Sequence, residues 1–340
     1  MKLSIIIPIY KVEDYIERCL KSVINQDLDT FDVECLLIND CTPDNSMRIA
    51  RRLLDDYNGP ISFIIINHHV NKGQSEARNN GIKNATGDYV LFVDSDDYLL
   101  PNSLSRLMSA KEKYPYTDIV IGNVYEHKYK KKQHNINNVL LIKDGTKARR
   151  WMLTNEFSIS PWNKLFKRQF LIDNNLFFEI GIMAEDIPWT YVLYTKISSI
   201  LIIPEVTYGY WYNEKSLSNS YSTTDKTVRS YVIGCRIMLC IPYEQELYIP
   251  QHLFIFRWLL NAINISDYCE SNFILDQLHS LRKQFFLSTI RDLRLILALF
   301  FLLLYNPFHY ILHFRIFRHN YNIISKTVYH FAKLFNFLHH

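Results

Sequence analysis

The sequence predicts an α/β fold with a mostly parallel sheet flanked by helices, followed by a helical C-terminal region. Three observations lead to this prediction. Apolar segments typical of strands alternate with segments of helical spacing over the first part of the chain, up to residue 125. A further aromatic strand segment occupies residues 206–212. From residue 230 onward the apolar spacing is helical, and the alternation ends.

The predicted strands are short apolar runs bounded by polar or turn-forming residues, at 3–7, 35–38, 61–66, 89–93 and 119–125. The predicted helices repeat apolar residues every three or four positions, at 12–24, 49–57, 75–85, 102–113 and 187–193. A helix that connects two strands of one sheet forms a right-handed crossover, and the two strands that it connects run parallel.

The composition is typical of a globular protein with a sizeable core. The chain has 340 residues, of which 48% are hydrophobic. Its net charge of +4 is too small to indicate nucleic acid as a partner. The six cysteines form no CxxC pair, so we expect reduced thiols in a cytoplasmic protein. We divide the chain into an α/β domain at 1–220, a helical region at 221–290 and a basic, apolar segment at 291–340.

A polar, basic segment follows the predicted strand at 119–125. Residues 127–138 include Lys128, Lys130, Lys131 and Lys132, and we expect an exposed loop or hairpin there. The lysines form either a solvated face or a ligand site, and we favour the solvated face.

Polar residues follow three of the predicted strands. The first strand leads into Pro8 and Tyr10, the second into Asn39 and Asp40, and the fourth into residues 94–97. Ligands of open parallel sheets bind at the carboxyl ends of the strands. The three strand ends therefore predict one binding edge.

The acidic turn Asp94-Ser95-Asp96-Asp97 is the strongest of these features. Three carboxylates in four residues repel one another unless a cation or solvent offsets their charge. A divalent ion held by carboxylate and phosphate oxygens would do so, and it would also neutralise a departing diphosphate. The alternative is a solvated acidic turn.

No Walker A motif and no G-x-G-x-x-G motif follows the first strand, so ATP or dinucleotide binding by those routes is disfavoured. A diphosphate would instead be held by metal and side chains. Lys72 and Arg78 are available for it, and the alternative is that both are surface charges.

A second acidic pair, Glu185 and Asp186, precedes Pro188 at the predicted start of a helix. Asp186 could be a helix N-cap without further function. Alternatively, it is a general base that takes a proton from an acceptor hydroxyl. We expect the helix dipole and a metal ion to lower its pKa, which would keep it ionised at neutral pH.

These motifs resemble, in order along the chain, those of glycosyltransferase family 2, inverting enzymes with the GT-A fold. The matching segments are SIIIPIY at 4–10, INDCTPDNS at 38–46, NKGQSEARNNG at 71–81, GDYVLFVDSDD at 87–97, WNKL at 162–165, ED at 185–186 and YGYWY at 208–212. The sequence departs from the family at Lys11, at Asn39 and at residues 41–43, around the expected base pocket. These departures leave the identity of the nucleotide open.

The resemblance implies that Pro8, Tyr10 and Asp40 contact the nucleotide base and ribose. It also implies that Asp94 and Asp96 form the D-x-D site for the donor diphosphate and Mn²⁺ or Mg²⁺. Further donor contacts are expected from Lys72, Arg78 and Ser95.

The same resemblance places Asp97 against the donor sugar or the acceptor, and it makes Asp186 the catalytic base. The remaining expected residues of the cleft are Trp162, Lys164 and Glu185.

The predicted activity is transfer of a sugar from a nucleoside diphosphate sugar to a hydroxyl of a glycan or lipid-linked acceptor, in synthesis of surface polysaccharide or glycoconjugate. The alternatives are a nucleotidyltransferase and a non-catalytic module that binds nucleotide sugars. No nucleic acid partner is expected, and the sequence leaves the oligomeric state open.

The last fifty residues differ in composition from the rest. An apolar run at 295–305 is too short to span a bilayer, and residues 308–337 mix aromatic and basic residues without an acidic one. This composition predicts a peripheral segment on the inner face of the cell membrane. The alternatives are a buried helix, a dimer interface, or a tilted span that reaches residue 312.

Overall fold

The computed structural model describes the chain except for residues 29, 133–135, 155–158, 214–224, 267–268 and 290–340. The described residues form two compact units. The first consists of residues 1–152 and 156–222, and the second contains residues 153–155 and the helices after residue 223. The predicted membrane segment at 291–340 lies outside the described residues.

The first unit is built on one sheet. Its strands are β1 (Lys2–Ile9), β2 (Asp32–Asn39), β3 (Ser62–Asn67), β4 (Tyr89–Phe92), β5 (Tyr98–Leu99), β6 (Ile119–Glu126), β7 (Lys131–Lys132), β8 (Leu140–Ile142), β9 (Lys164–Lys167) and β10 (Ile200–Tyr210). The strand order is β3-β2-β1-β4-β9-β6-β10-β5, with β7 paired to β6 and β8 paired to β10.

The long strands run in one direction. The four strands β1, β2, β3 and β4 are all parallel, and β10 is parallel to β6. Strand β9 is antiparallel to both β4 and β6, so those two strands also point the same way. The carboxyl ends of β1, β2, β4, β6 and β10 therefore lie at one edge. This arrangement confirms the predicted mostly parallel sheet.

The helices flank this sheet or follow it. Their bounds are α1 (Ile16–Ile24), α2 (Ser46–Asp55), α3 (Gln74–Asn84), α4 (Ser103–Lys113), α5 (Gly145–Thr154), α6 (Arg168–Asp173), α7 (Asp186–Lys196), α8 (Asp225–Leu239), α9 (Tyr248–Ser266) and α10 (Asn272–Thr289).

The apolar pattern explains how these elements pack. Strand β1 is buried from Leu3 to its end, as expected of a central strand covered on both faces. Helix α1 buries Ile16, Cys19, Leu20 and Val23, which share one face at the helical spacing. These residues belong to the main hydrophobic cluster, so α1 covers the sheet with that face.

The basic segment after β6 is a hairpin, as predicted. Strand β7 pairs with β6 in antiparallel register, with Tyr125 opposite Lys132 and Glu126 opposite Lys131. The turn between the two strands includes Lys128 and Lys130, which are both exposed. We call residues 126–132 the basic hairpin.

The second unit contains α8, α9 and α10, which pack on one another. Their contact faces bury Val232 and Cys235 of α8, Leu259 and Ala262 of α9, and Leu281 of α10. These helices confirm the predicted helical C-terminal region. Among the residues that the structure describes, no helix combines the length and the apolarity that crossing a bilayer requires.

A buried carboxylate ties β1, β2 and the loop before β4 together. Glu34 accepts hydrogen bonds from the Ser4 hydroxyl and from both the backbone and the hydroxyl of Thr86, each at 2.6 Å. It also pairs with Lys2 at 2.7 Å. Burial alone would raise the pKa of Glu34, but these donors outweigh it and lower the pKa to about 2.

Replacement Glu34→Gln is expected to lower the free energy of unfolding at neutral pH by about 2 kcal/mol, because hydrogen bonds to a charged acceptor are lost. The folded pKa of about 2 lies below the unfolded value. The contribution of Glu34 is therefore complete above about pH 4.5 and is lost as the pH falls through about 2. Urea unfolding at several pH values measures both effects. The exposed Glu112→Gln is the control, and equal stability of the two variants would contradict the prediction.

Candidate active site

The acidic loop, residues 94–97, follows the central strand β4. Its side chains alternate between the surface and the interior: Asp94 and Asp96 keep part of their surface exposed, whereas Ser95 and Asp97 are buried. Two backbone hydrogen bonds shape the loop. Asp97 N donates to the carbonyl of Asp94 at 3.0 Å, and Asp94 N donates to the hydroxyl of Tyr208 at 3.1 Å. The loop thus presents two carboxylates at the carboxyl edge of the sheet.

Asp96 lies beside a second negative charge. Burial, followed by the nearby charge of Asp94, raises the pKa of Asp96 to about 6. Its carboxylate accepts a hydrogen bond from the side-chain amide of Asn213 at 3.1 Å. Two crowded carboxylates of this kind are stabilised by a cation. The described residues contain no group of three or more His, Cys, Asp or Glu side chains suited to a metal.

Asp97 is placed differently from the prediction. Its side chain is 1% exposed and accepts hydrogen bonds from the Tyr208 hydroxyl at 2.8 Å and from Trp211 N at 2.7 Å. Burial raises the pKa of this carboxyl well above its usual range. In this structure Asp97 joins the acidic loop to the end of β10 from the inside, and its contact with a sugar or acceptor stays a prediction.

Arg78 connects the acidic loop to the second acidic pair. Its guanidinium donates to Asp94 at 2.9 Å and to Glu185 at 2.7 Å, and it stacks on Phe178 at 5.3 Å. Arg78 is only 2% exposed. A guanidinium enclosed in this way offers almost no surface in this structure, and its contact with a diphosphate stays a prediction. Its position brings together three segments of the chain that are far apart in sequence.

Asp186 is the first residue of α7. The N-cap position belongs to Glu185, and no side chain makes a cap hydrogen bond there, so the simple N-cap interpretation of Asp186 is not supported. Burial and then the charge of Glu185 raise the pKa of Asp186 to about 7, although Arg78 acts in the opposite direction. The protein groups alone thus raise this pKa, whereas the expected lowering also assumed a bound metal ion. Burial is the largest of their effects.

Trp162 and Lys164 lie behind the cleft surface. Trp162 is 5% exposed and stacks on Tyr208 at 4.6 Å and on Tyr210 at 5.8 Å. Lys164 is 2% exposed and donates to the Ser160 carbonyl at 2.6 Å. Burial lowers the pKa of Lys164 to about 7, with the charge of Asp186 opposing. Both side chains are buried in this structure, and their expected contact with donor or acceptor stays a prediction.

The residues expected at the nucleotide lie at the ends of β1 and β2. Pro8 is buried in β1, and Tyr10 is 38% exposed. Asp40 is buried, and its carboxylate accepts hydrogen bonds from Lys72 N and Gly73 N, both at 2.8 Å. The remaining Asp40 partners are His68 and Asn71. In this structure Asp40 shapes the loop that carries the exposed Lys72, and contact of these residues with a nucleotide stays a prediction.

The structure adds residues that the sequence motifs did not single out. Tyr208 and Asn213 hold the acidic loop, and Arg18 donates to the backbone carbonyl of Asp96 at 2.6 Å. The aromatic run at 208–212 was the feature of the sequence that indicated Tyr208. Arg18 had no such signal, because a lone arginine on the polar side of α1 resembles any surface charge.

Comparison with known proteins identifies the family. The model of glycosyl transferase family 2 matches residues 4–174. The chain is 35% identical over 221 residues to EpsJ of Bacillus subtilis, described as an uncharacterized glycosyltransferase, over 63% of this chain and 62% of EpsJ. It is 34% identical over 224 residues to the poly(ribitol-phosphate) beta-glucosyltransferase of Bacillus spizizenii, over 62% of this chain and 32% of that protein. The chain thus spans less than two thirds of the length of these relatives.

Solved structures agree on the fold. Residues 1–349 of Staphylococcus aureus TarS in complex with UDP-GlcNAc resemble this chain with a TM-score of 0.64 and 21% identity, covering 84% of this chain and 80% of TarS 1–349. A mannosyltransferase from Pyrobaculum calidifontis in complex with GDP-Man and Mn²⁺ has a TM-score of 0.56 at 13% identity, covering 98% of this chain and 87% of that one. The fold is GT-A, and on the family match the chain belongs to glycosyltransferase family 2.

Proposed function

We propose that this chain transfers a sugar from a nucleoside diphosphate sugar to an acceptor hydroxyl, with inversion at the anomeric carbon. The main support is the contact of Arg78 with both Asp94 and Glu185, which brings the acidic loop next to Asp186. The proposed donor site and the proposed base thereby lie near each other, and the charge of Asp94 acts on Asp186. Relatives whose names describe glucosyl transfer to poly(ribitol-phosphate) and a fold neighbour solved with UDP-GlcNAc support the same class of reaction.

Asp94 and Asp96 would hold Mn²⁺ or Mg²⁺, since both are partly exposed carboxylates with hard oxygen donors. The raised pKa of Asp96 fits this role, because a cation would offset the repulsion between the two groups. When bound, such an ion neutralises charge on the leaving diphosphate. Arg78 keeps Asp94 at a fixed distance from α7.

Asp186 would take the proton of the acceptor hydroxyl. The acceptor oxygen then forms a bond to the anomeric carbon on the face opposite the diphosphate, and the bond between that carbon and the diphosphate oxygen breaks with its electron pair on the diphosphate. No covalent intermediate with the enzyme is required. A pKa of about 7 suits this step, because a general base is most effective when its pKa is near the working pH.

The acceptor is proposed to be a glycan or lipid-linked saccharide in surface polysaccharide or glycoconjugate synthesis. The cytoplasmic, peripheral membrane location remains a proposal that depends on residues 291–340. The two alternative functions differ from this one in their products. Nucleotidyl transfer releases pyrophosphate, and binding without catalysis releases no product.

A product assay separates these possibilities. We expect release of nucleoside diphosphate from one member of a panel of nucleoside diphosphate sugars, and loss of that release in EDTA with recovery on adding Mn²⁺ or Mg²⁺. The same assay supplied with nucleoside triphosphates and sugar phosphates measures pyrophosphate. Pyrophosphate as the product would replace the proposal by nucleotidyl transfer. Binding of the sugars without any turnover would favour the non-catalytic module, and full activity in EDTA would remove the metal from the proposal.

A further inference from the structure

Two neighbouring aromatic residues after β10 each carry a cation on the ring. The guanidinium carbon of Arg18 lies 4.1 Å from the ring centroid of Trp211, and the ammonium of Lys128 lies 3.5 Å from that of Tyr212. The ring of His127 also contacts Trp211, with centroids 4.8 Å apart. Aromatic rings attract cations in this geometry and hold them in place. We call Arg18, Lys128, Trp211 and Tyr212, together with Lys130 of the basic hairpin, the cationic cluster.

The two lysines of this cluster are the cations without an acidic neighbour in contact. Within the described part of the chain, Arg18, Lys128 and Lys130 take part in none of the ion pairs. Arg18 nevertheless has carboxylates nearby, because Glu17 precedes it and pairs with Lys21, and its own charge lowers the pKa of Asp96.

Arg18 in particular has unused hydrogen-bonding capacity. It donates to the Asp96 carbonyl, while its Nε is buried without a hydrogen-bond partner. Burial and the charge of Arg18 lower the pKa of His127, so the histidine is neutral at neutral pH. The positive charge of the cluster therefore comes from arginine and lysine, and the exposed ammonium groups of Lys128 and Lys130 are the part of it that solvent and ligands can reach.

The position of the cluster indicates which substrate carries that anion. Strands β6 and β10 end at the same edge as β4, but on the side of β4 away from β1 and β2, where the nucleotide is expected. The cluster is joined to the acidic loop, because Trp211 N donates to Asp97 and Arg18 donates to Asp96. A ligand here would lie next to the reacting centre on the side left for the acceptor.

We propose that the cationic cluster binds a phosphodiester of the acceptor, close to the hydroxyl that receives the sugar. This inference rests on the proposed glycosyl transfer and narrows its acceptor class. A phosphodiester presents two unesterified anionic oxygens, which can accept hydrogen bonds from a guanidinium and from ammonium groups. Partly exposed faces of Trp211 and Tyr212 suit the carbon skeleton of a sugar or polyol. The basic hairpin would then be a ligand site, contrary to our expectation from the sequence.

Binding of two matched probes to the full chain tests the proposal. One probe is a fluorophore-labelled hexamer of glycerol phosphate, and the other is the uncharged hexaglycerol with the same label. Fluorescence anisotropy should show preference for the charged probe, weakening as salt is added. The double variant Lys128→Glu with Lys130→Glu should bind the charged probe at least about tenfold more weakly, because attraction becomes repulsion.

A matched control is available at the other end of β6. Lys113 is also exposed and also lies on a tyrosine ring, with its ammonium 5.6 Å from the centroid of Tyr114, but it precedes β6 and therefore lies near the opposite edge of the sheet. Lys113→Glu should bind both probes as the wild type does. All three lysines are exposed, so the variants are expected to fold, which circular dichroism checks.

Three results would overturn the proposal. Equal affinity of the wild type for both probes would remove the phosphate preference. An equal effect of the control and the double variant would reduce the cluster to general surface charge. Sedimentation with phosphatidylglycerol vesicles that depends on Lys128 and Lys130, while probe binding does not, would make the hairpin a membrane contact. Wild-type release of nucleoside diphosphate is measured separately, so failure of this inference is distinguishable from failure of the proposed function.

Discussion

Replacement Asp186→Asn is expected to lower kcat by about 10²-fold or more, because the variant keeps the shape of the side chain but cannot accept the acceptor proton. Donor affinity should change by less than about threefold, since the lost interaction belongs to the transition state. The donor is first identified by product release. Steady-state kinetics with that donor measures kcat, and direct titration of the enzyme with it measures donor affinity. The exposed Glu179→Gln, in the loop before α7, is the control.

The pKa of Asp186 gives this prediction a second, independent readout. With a folded pKa of about 7, the carboxylate is protonated at lower pH, so kcat/KM of the wild type should rise with pH between about 6 and about 8. The same raised pKa means that ionised Asp186 opposes folding above about pH 7, so the variant should be at least as stable as the wild type there. A collapse of donor affinity with little change in kcat would assign Asp186 to donor binding instead.

Replacement Asp96→Ala is expected to abolish transfer, with a loss of at least about 10³-fold, because one of the two proposed ligands for the proposed metal ion disappears. The fold should survive. Burial and the charge of Asp94 already oppose ionisation of Asp96, and its removal loses the hydrogen bond from Asn213, a backbone hydrogen bond and the attraction of Arg18. We therefore expect the free energy of unfolding to change by less than about 1 kcal/mol.

Thermal unfolding is measured with and without Mn²⁺ and the released nucleoside diphosphate. The change in melting temperature shows how much these two ligands stabilise each variant. The wild type should gain stability from the pair of ligands, whereas Asp96→Ala should not. The exposed Asp55→Asn should behave as the wild type. Turnover by Asp96→Ala at near the wild-type rate would contradict a metal site at the acidic loop.

The long elements of the first unit were predictable because their apolar residues are numerous and regularly spaced. Strand β1 and helix α1 illustrate this, since the buried positions of both are those that the sequence pattern marks. The short strand β9 was not predicted. Its four residues form a strand because they pair with β4 on one side and with β6 on the other. This pairing depends on the tertiary structure and not on the local sequence.

The site was predictable in its location but not in the environment of each side chain. The positions of Asp94 and Asp96 follow from the end of an apolar strand. Whether a neighbouring side chain faces outward depends on partners that are distant in sequence. Asp97 turns inward because Tyr208 and Trp211 donate to it, and Arg78 is enclosed because Glu185 arrives from 107 residues away. Local sequence carries no record of these partners, so it also did not reveal the burial that raises the pKa of Asp186.

The internal attachment of the acidic loop to β10 also sets an order of folding. Asp97 is held by Tyr208 and Trp211, which follow it by 111 and 114 residues. Contacts over such separations form late, because closing a long loop of chain loses conformational entropy before any contact compensates for it. Synthesis proceeds from the N-terminus, so the acidic motif leaves the ribosome before its anchors exist. The nascent chain therefore carries an unfixed cluster of three carboxylates until β10 has been made, and the cleft is completed only in the final stage of folding of the first unit.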